Sequence, residues 1–173
     1  MVSEASTQAQ PQRGHAALAE DAAARRASWL VCRAGTLLCA IPLEHVIEIL
    51  RVLPIETIAG APPFVRGLCI IRGAAVPVVD TGLLVGDQAT KSGRLIAIRT
   101  GSRTIALAAE TVLGVWAIDA EAASELPPLL RDAARDSIAA IGTLDAELLF
   151  FLRAARIAPQ ELLDRLHADG ATL

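Results

Sequence analysis

LVCRAGTLLCAIPLEHVIEIL (30–50) and IAIRTGSRTIALAAETVLGVW (96–116) superpose when Gly35 is laid on Gly101, a shift of 66 residues. At that shift Arg33 meets Arg99, Ala40 meets Ala106, Glu44 meets Glu110 and Val46 meets Val112. Each copy reads as an apolar strand, a glycine turn, a second apolar strand, an acidic corner and a third strand. A weaker match lays IIRGAAVPVVD (70–80) on TLDAELLFFLR (143–153), again two apolar strands around a turn. The repeat predicts two similar β-units, about 28–86 and 93–153, joined by the polar loop Asp87–Ser92. Units of about 60 residues bury too little surface to stand alone. Each is therefore expected to close as a small barrel and to share an interface with the other, leaving a groove between them.

The flanks differ from this body. Ala16–Ala27 (AALAEDAAARRA) favours a short helix, with Glu20 and Asp21 ahead of Arg25 and Arg26. Residues 1–27 are thus expected to be a tail with one Ala-rich helix, 28–157 the folded domain, and 158–173 a terminal helix. The last expectation rests on Leu162, Leu163 and Leu166 sharing a face between Pro159 and Gly170. The segment 120–136 reads as a surface loop with a helical turn after Pro128.

Composition narrows the function. With 173 residues, 53% hydrophobic and 20% charged, the chain suits one globular unit with a substantial core. Arg72, Asp80, Asp87 and Arg99 break up the most apolar region, so no run reaches the ~18 residues of a membrane helix. Residues 1–14 lack a basic start and an apolar segment, which predicts cytoplasmic residence. A net charge of −3 and only five aromatic side chains, two Trp and three Phe, argue against nucleic-acid binding. Cys32, Cys39 and Cys69 form no C-x-x-C, and are expected to be buried, inert thiols rather than zinc ligands. His15, His45 and His167 lie in no metal-binding or general-base pattern. GDQATKS (86–92) has the wrong glycine spacing for a phosphate loop. An enzyme would need a junction pocket gathering Glu44, Glu110 and His45, and no catalytic, metal or cofactor site is expected.

APPFVRGLCIIRGAAVPVVDTGLLVG (61–86) resembles the signature of the CheW coupling family, close to PxxxxGxxNLRGxxxPVxDLxxLLG, with Gly67, Arg72, Gly73, Pro77, Val78, Asp80, Leu84 and Gly86 in register. AIPLEHVIEIL (40–50) and GSRTIALAAETVLGV (101–115) resemble two further family stretches, so the likeness spans about 28–157. It implies a mainly β fold of two tandem five-stranded barrels. It implies a non-catalytic chemotaxis adaptor whose partners are the regulatory domain of a CheA-like histidine kinase and the cytoplasmic tips of chemoreceptors, in a membrane-associated array. The departures are Ile70 in place of the usual Asn, Thr81-Gly82 after Asp80, Glu110 for Asp, and the small Ala108 and Ala109. They leave room for a scaffold of a pilus-motility or surface-sensing pathway that binds the kinase without ordinary receptors.

Glu48 and Arg72 are charges set among apolar strands, and burying either alone would be costly, so they are expected to pair; the alternative is that both point to solvent from edge strands. The repeat puts Gly114 and Asp145 at the matching positions, which makes such a pair peculiar to the first unit. The resemblance implies that Val46, Glu48, Gly67, Arg72 and Gly73 belong to a receptor-facing surface. Val46 is equally readable as core, and Gly67 as a residue that only permits a tight backbone after Pro62-Pro63.

Overall fold

A computed structural model describes residues 26–86, 88–119, 124–125 and 137–157. The expected helix over 16–27 lies outside those residues except for Arg26 and Ala27, which are strand; the helical turn after Pro128 and the terminal helix over 158–173 lie wholly outside them. The described chain is eleven strands and little helix: β1 (Arg26–Ala34), β2 (Leu37–Pro42), β3 (Val46–Leu50), β4 (Val65–Ile71), β5 (Ala74–Asp80), a short α1 (Thr81–Val85), β6 (Arg94–Thr100), β7 (Arg103–Ala109), β8 (Thr111–Asp119), the two-residue β9 (Ser124–Glu125), β10 (Ile138–Leu144) and β11 (Glu147–Leu152).

The strands form two sheets. Sheet A runs β8-β1-β2-β11-β10-β9 and sheet B runs β3-β6-β7-β5-β4. The repeat is visible in both, because β1-β2 and β6-β7 are hairpins turning at Gly35 (φ 63°) and Gly101 (φ 60°), in the left-handed region that glycine enters without cost. The units are not contiguous halves, however. β3 leaves its own hairpin and pairs with β6, while its counterpart β8 pairs with β1. Each half of the chain thus lends its third strand to the other, and 28–86 and 93–153 are interleaved rather than side by side.

The exchange is symmetric down to register. Val46 faces Ile98 and Glu48 faces Ala97 across a bulge at Ile47; at the repeat-related positions Val112 faces Cys32 and Gly114 faces Val31 across a bulge at Leu113. The β4-β5 and β10-β11 hairpins correspond in the same way, with bulges at Arg66 and Ala139. Both close on two residues with positive φ, Arg72-Gly73 and Asp145-Ala146, as in type I′ turns.

Neither sheet closes into a barrel by strand pairing. In sheet B the chain after β3 leaves the ladder and reaches β4 only through a single bridge, Glu56 N–H to Leu68 O and Leu68 N–H to Glu56 O, each 2.8 Å. In sheet A, Ser124 of β9 meets Ile141 of β10 at the repeat-related place. The expectation of closed barrels is corrected to two open sheets, of which sheet B is bridged at Glu56 by the segment after β3.

Burial explains why the strands read as continuous apolar runs. One face of each sheet lines its own interior: Val31, Leu38, Ala40, Leu149 and Phe151 in sheet A, and Val76, Val78, Leu95, Ala97, Ala106 and Ala108 in sheet B. The other faces meet in a shared junction that includes Leu30, Cys32, Cys39, Ile41, Ile96, Ile98, Ile105 and Leu107. Central strands buried on both sides lose the polar alternation of a half-exposed strand. β1 also starts earlier than helix propensity suggests. Arg26 and Ala27 are strand, opposite Asp119 and Ile118, because the long β8 offers them a ladder and pairing outweighs a weak local preference.

Candidate functional site

The bulge at Ile47 decides what β3 presents. Strict alternation from Val46 would put Glu48 on the junction face with it. The extra residue breaks the alternation and sets Glu48 opposite Ala97, on the face lining sheet B. From there the carboxylate reaches the β4-β5 turn at the other edge of the same sheet. Arg72 donates from Nε to Glu48 Oε1 at 2.7 Å and from Nη2 to Oε2 at 3.0 Å, a two-pronged pair. The side chain of Arg72 is 79% exposed and that of Glu48 20%. The burial cost invoked from the sequence therefore does not operate; the pair lies at the surface and spans the seam between the sheet edges. The hydrogen bond from Arg72 holds the Glu48 carboxyl below its usual range against a smaller opposing effect of desolvation, and raises Arg72.

The other candidates take different positions. Gly73 is the exposed second residue of the turn (φ 81°). Gly67 is buried beneath the crossing segment, where a Cβ would stand 2.0 Å from Glu56 O, and its φ of 140° is itself glycine-like. What it permits is thus the approach of the Glu56 backbone to β4 rather than a turn after Pro62-Pro63. Val46 is half-buried against the junction core. Its neighbours are the exposed ones: Ile47 and Ile49 at 44%, and Ile70, on β4, at 64%. Sequence reading passed over these three, because alternation about Glu48 would bury Ile47 and Ile49, and the bulge that exposes Ile47 depends on the partner strand.

Ile70 rims a cleft of about 570 Å³ that also takes in Leu53, Pro54, Glu56, Leu68 and Gly73. Ile49 is opposite Ile96 and Val115 is opposite Leu30, so both belong to faces that look across the junction, yet both remain exposed at its margin. The margin of the packed junction therefore carries exposed apolar side chains from both sheets.

A second ion pair lies at the other end of β4 and is largely buried. Arg66, turned by its bulge, donates from Nε and Nη2 to Asp80 Oδ2 at 2.8 and 2.6 Å, from Nη1 to Ser92 Oγ at 2.6 Å, and also to the Thr90 carbonyl. Asp80 is 1% exposed and caps α1, accepting from Gly82 N–H at 2.9 Å and Leu83 N–H at 3.1 Å, as well as from Thr90 N–H. Burial pushes its carboxyl up, but the hydrogen bonds from Thr90, Arg66 and Leu83 together outweigh it and hold the group below the usual range. Gly82, a departure from the family pattern, is explained here. A Cβ at that position would lie 2.3 Å from Gln88 O, so glycine lets the 88–90 loop fold down and deliver Thr90 to Asp80.

Cys32 and Cys39 face each other across β1-β2, buried and unbridged, and Cys69 is likewise a buried free thiol. A hydrogen bond with Cys32, and burial after it, push the Cys39 thiol well up; burial raises Cys69. Glu44 and His45 are neighbours 3.6 Å apart. Among the described residues no group of His, Cys, Asp and Glu is placed to hold a metal ion, and no helix is long and apolar enough to cross a membrane.

The model of the CheW-like domain matches residues 28–161, which contain both sheets and the Glu48–Arg72 seam. The chain belongs to the CheW-like family. Among its relatives, protein FrzA of Myxococcus xanthus is 32% identical over 142 residues, covering 77% of this chain and 88% of that one. The chemotaxis protein CheW of Klebsiella aerogenes is 24% identical over 127 residues, 68% of this chain and 76% of that one. In fold, the scaffolding protein TtCheW of Thermoanaerobacter tengcongensis matches with a TM-score of 0.65 at 20% identity, over 74% of this chain and 89% of that one. Membership makes this a CheW-like scaffold in chemosensory signal transduction.

Proposed function

We propose that the chain is a non-catalytic adaptor joining the regulatory domain of a CheA-like histidine kinase to the cytoplasmic tips of chemoreceptors, working in the cytoplasm at receptor arrays. The observation that carries this reading is the seam of sheet B in a CheW-like fold: Glu48 and Arg72 hold its edges together, with Ile47, Ile49 and Ile70 exposed around them. A receptor tip is a helical hairpin, and an amphipathic helix binds by laying its apolar face in a groove with apolar walls and a charged rim. Ile49 and Val115 supply such walls, and the Glu48–Arg72 pair such a rim. Val46 and Gly67 act from beneath, the first by supporting β3 and the second by holding the crossing segment against β4. Gly73 keeps Arg72 at the tip of its turn.

Co-sedimentation with a receptor cytoplasmic fragment and with the kinase regulatory domain, separately and together, tests the reading. Binding to each and a ternary assembly are expected; binding to neither removes it. One feature favours a second reading. Ile70, standing where the family usually has Asn, makes the exposed rim of the cleft more apolar than the family pattern, as a dedicated partner in a pilus-motility or surface-sensing pathway would require. Kinase binding without binding to ordinary receptor fragments would establish that variant.

A further inference from the structure

The two sides of the junction margin are alike in their apolar residues. Ile47 and Leu113, the bulge residues of β3 and β8, are 44% and 45% exposed. Ile49 and Val115, two positions further on, are 44% and 55% exposed, and their strand partners Ile96 and Leu30 are themselves repeat mates, 66 residues apart. Exchanging sheet A for sheet B therefore leaves the apolar pattern nearly unchanged. A helix lying across the margin finds the same apolar contacts when turned end for end, and burial, being non-directional, does not choose between the two.

The charges do differ. On the sheet-B side Arg72 binds Glu48 through Nε and Nη2, and its guanidinium is still 79% exposed. On the sheet-A side the matching residues are Gly114 and Asp145. A Cβ on Gly114 would meet nothing within 4 Å, and Asp145, exposed in its turn, has no ion pair among the described residues. The backbones of the two turns agree, with φ 51° at Arg72 and 49° at Asp145. One side thus offers a cation steadied by a carboxylate, and the other a carboxylate alone.

We propose that this charge difference sets the direction of a helix bound across the junction margin, its acidic end at Arg72 and its basic end at Asp145. The inference rests on the adaptor reading above and adds a direction to it. It makes Asp145 a specificity-determining residue, and it fixes the partner's chemistry as an amphipathic helix with carboxylates toward one end and ammonium or guanidinium groups toward the other. Exposed charges of this kind contribute little to affinity. Opposite charges in one direction become like charges in the other, however, so their effect falls on orientation.

The test places Ile47→Cys or Leu113→Cys in the full chain, one per chain, and adds a short bismaleimide. The probe is a receptor cytoplasmic fragment with a single cysteine at the acidic or the basic end of a tip helix; Cys32, Cys39 and Cys69 are buried and stay out of the reaction. Position 47 is expected to link to the acidic end and position 113 to the basic end, each about fivefold over the alternative. Glu48→Gln, Arg72→Asp and Asp145→Arg in one chain exchange the charges of the two turns, and the preference should reverse while co-sedimentation persists. Asp145→Lys alone, a single change at an exposed turn position, should bring the ratio close to one. Equal linking in the unexchanged chain overturns the proposal, and so does a preference that survives both sets of substitutions. Binding without a preferred direction removes this proposal alone, whereas absence of co-sedimentation removes the adaptor reading and the proposal with it.

Discussion

Glu48 sits on β3 at one edge of a five-stranded sheet and Arg72 in the β4-β5 turn at the other edge, and they meet side chain to side chain, Nε to Oε1 at 2.7 Å. Because Arg72 is largely exposed, water screens the pair and its direct part in stability is small. Under the proposed adaptor function the pair serves instead as a fixed pattern of charge among the exposed Ile47, Ile49 and Ile70. Arg72→Glu puts two carboxylates at the seam and is expected to abolish co-sedimentation with a receptor fragment while leaving the melting temperature nearly unchanged. Glu48→Arg in the same chain restores the opposite charges and should restore binding. Full binding by Arg72→Glu alone would refute a role for the pair.

The two type I′ turns differ in chemistry. Gly73 takes the second position of one, but Ala146 takes it in the other at φ 67°, where a Cβ crowds the following carbonyl. Ala146→Gly should therefore stabilise the protein by about 1 kcal/mol, the left-handed penalty removed less the extra chain entropy of glycine. Chemical denaturation measures it as a higher midpoint with an unchanged slope.

Gly67 and Gly114 share a φ near 140° but not their surroundings. A Cβ on Gly67 would lie 2.0 Å from the Glu56 carbonyl oxygen, whereas one on Gly114 meets nothing within 4 Å. Gly114→Ala is expected to cost only the backbone strain, about 1–2 kcal/mol. Gly67→Ala must in addition push the crossing segment off β4, for a total of about 3 kcal/mol or more. Equal losses in the two variants would show that the Glu56–Leu68 bridge yields at little cost.

How far the sequence could be read follows from what local pattern encodes. The repeat located both hairpins and their turn glycines because strand length, apolar runs and a left-handed turn are local properties. It could not reveal that β3 and β8 change places, since an apolar strand of the same pattern fits either hairpin. Nor could it place the bulges at Ile47 and Arg66, which depend on the partner strand. Those bulges set the faces of Glu48 and Arg66, so the exposed pair was anticipated for the wrong reason, and the ties between Arg66, Asp80 and Thr90 were not anticipated at all. Asp80 was visible only as a position in a family signature; its chemical task emerges from a loop ten residues further on.

Asp80 carries the clearest pH dependence. Its carboxyl is held below the usual range in the folded protein by Thr90, Arg66 and Leu83, against the opposing effect of burial. A group with a depressed folded value contributes stability that is complete above its unfolded value, about 3.9, and is lost as pH falls through the folded one. Wild-type stability should therefore decline in acid from about pH 5 downward, with Glu48 and Glu147, also held low by Arg72 and Arg33, adding to the slope. Asp80→Asn should lower stability at pH 7, because Arg66 loses its counter-charge and one amide oxygen cannot accept all the donors that meet the carboxylate. The loss expected for breaking a buried pair is about 3 kcal/mol. The same variant should show a flatter acid limb, so the two stability curves converge as pH falls. Parallel curves from pH 7 to pH 3 would mean that Asp80 is not the titrating group.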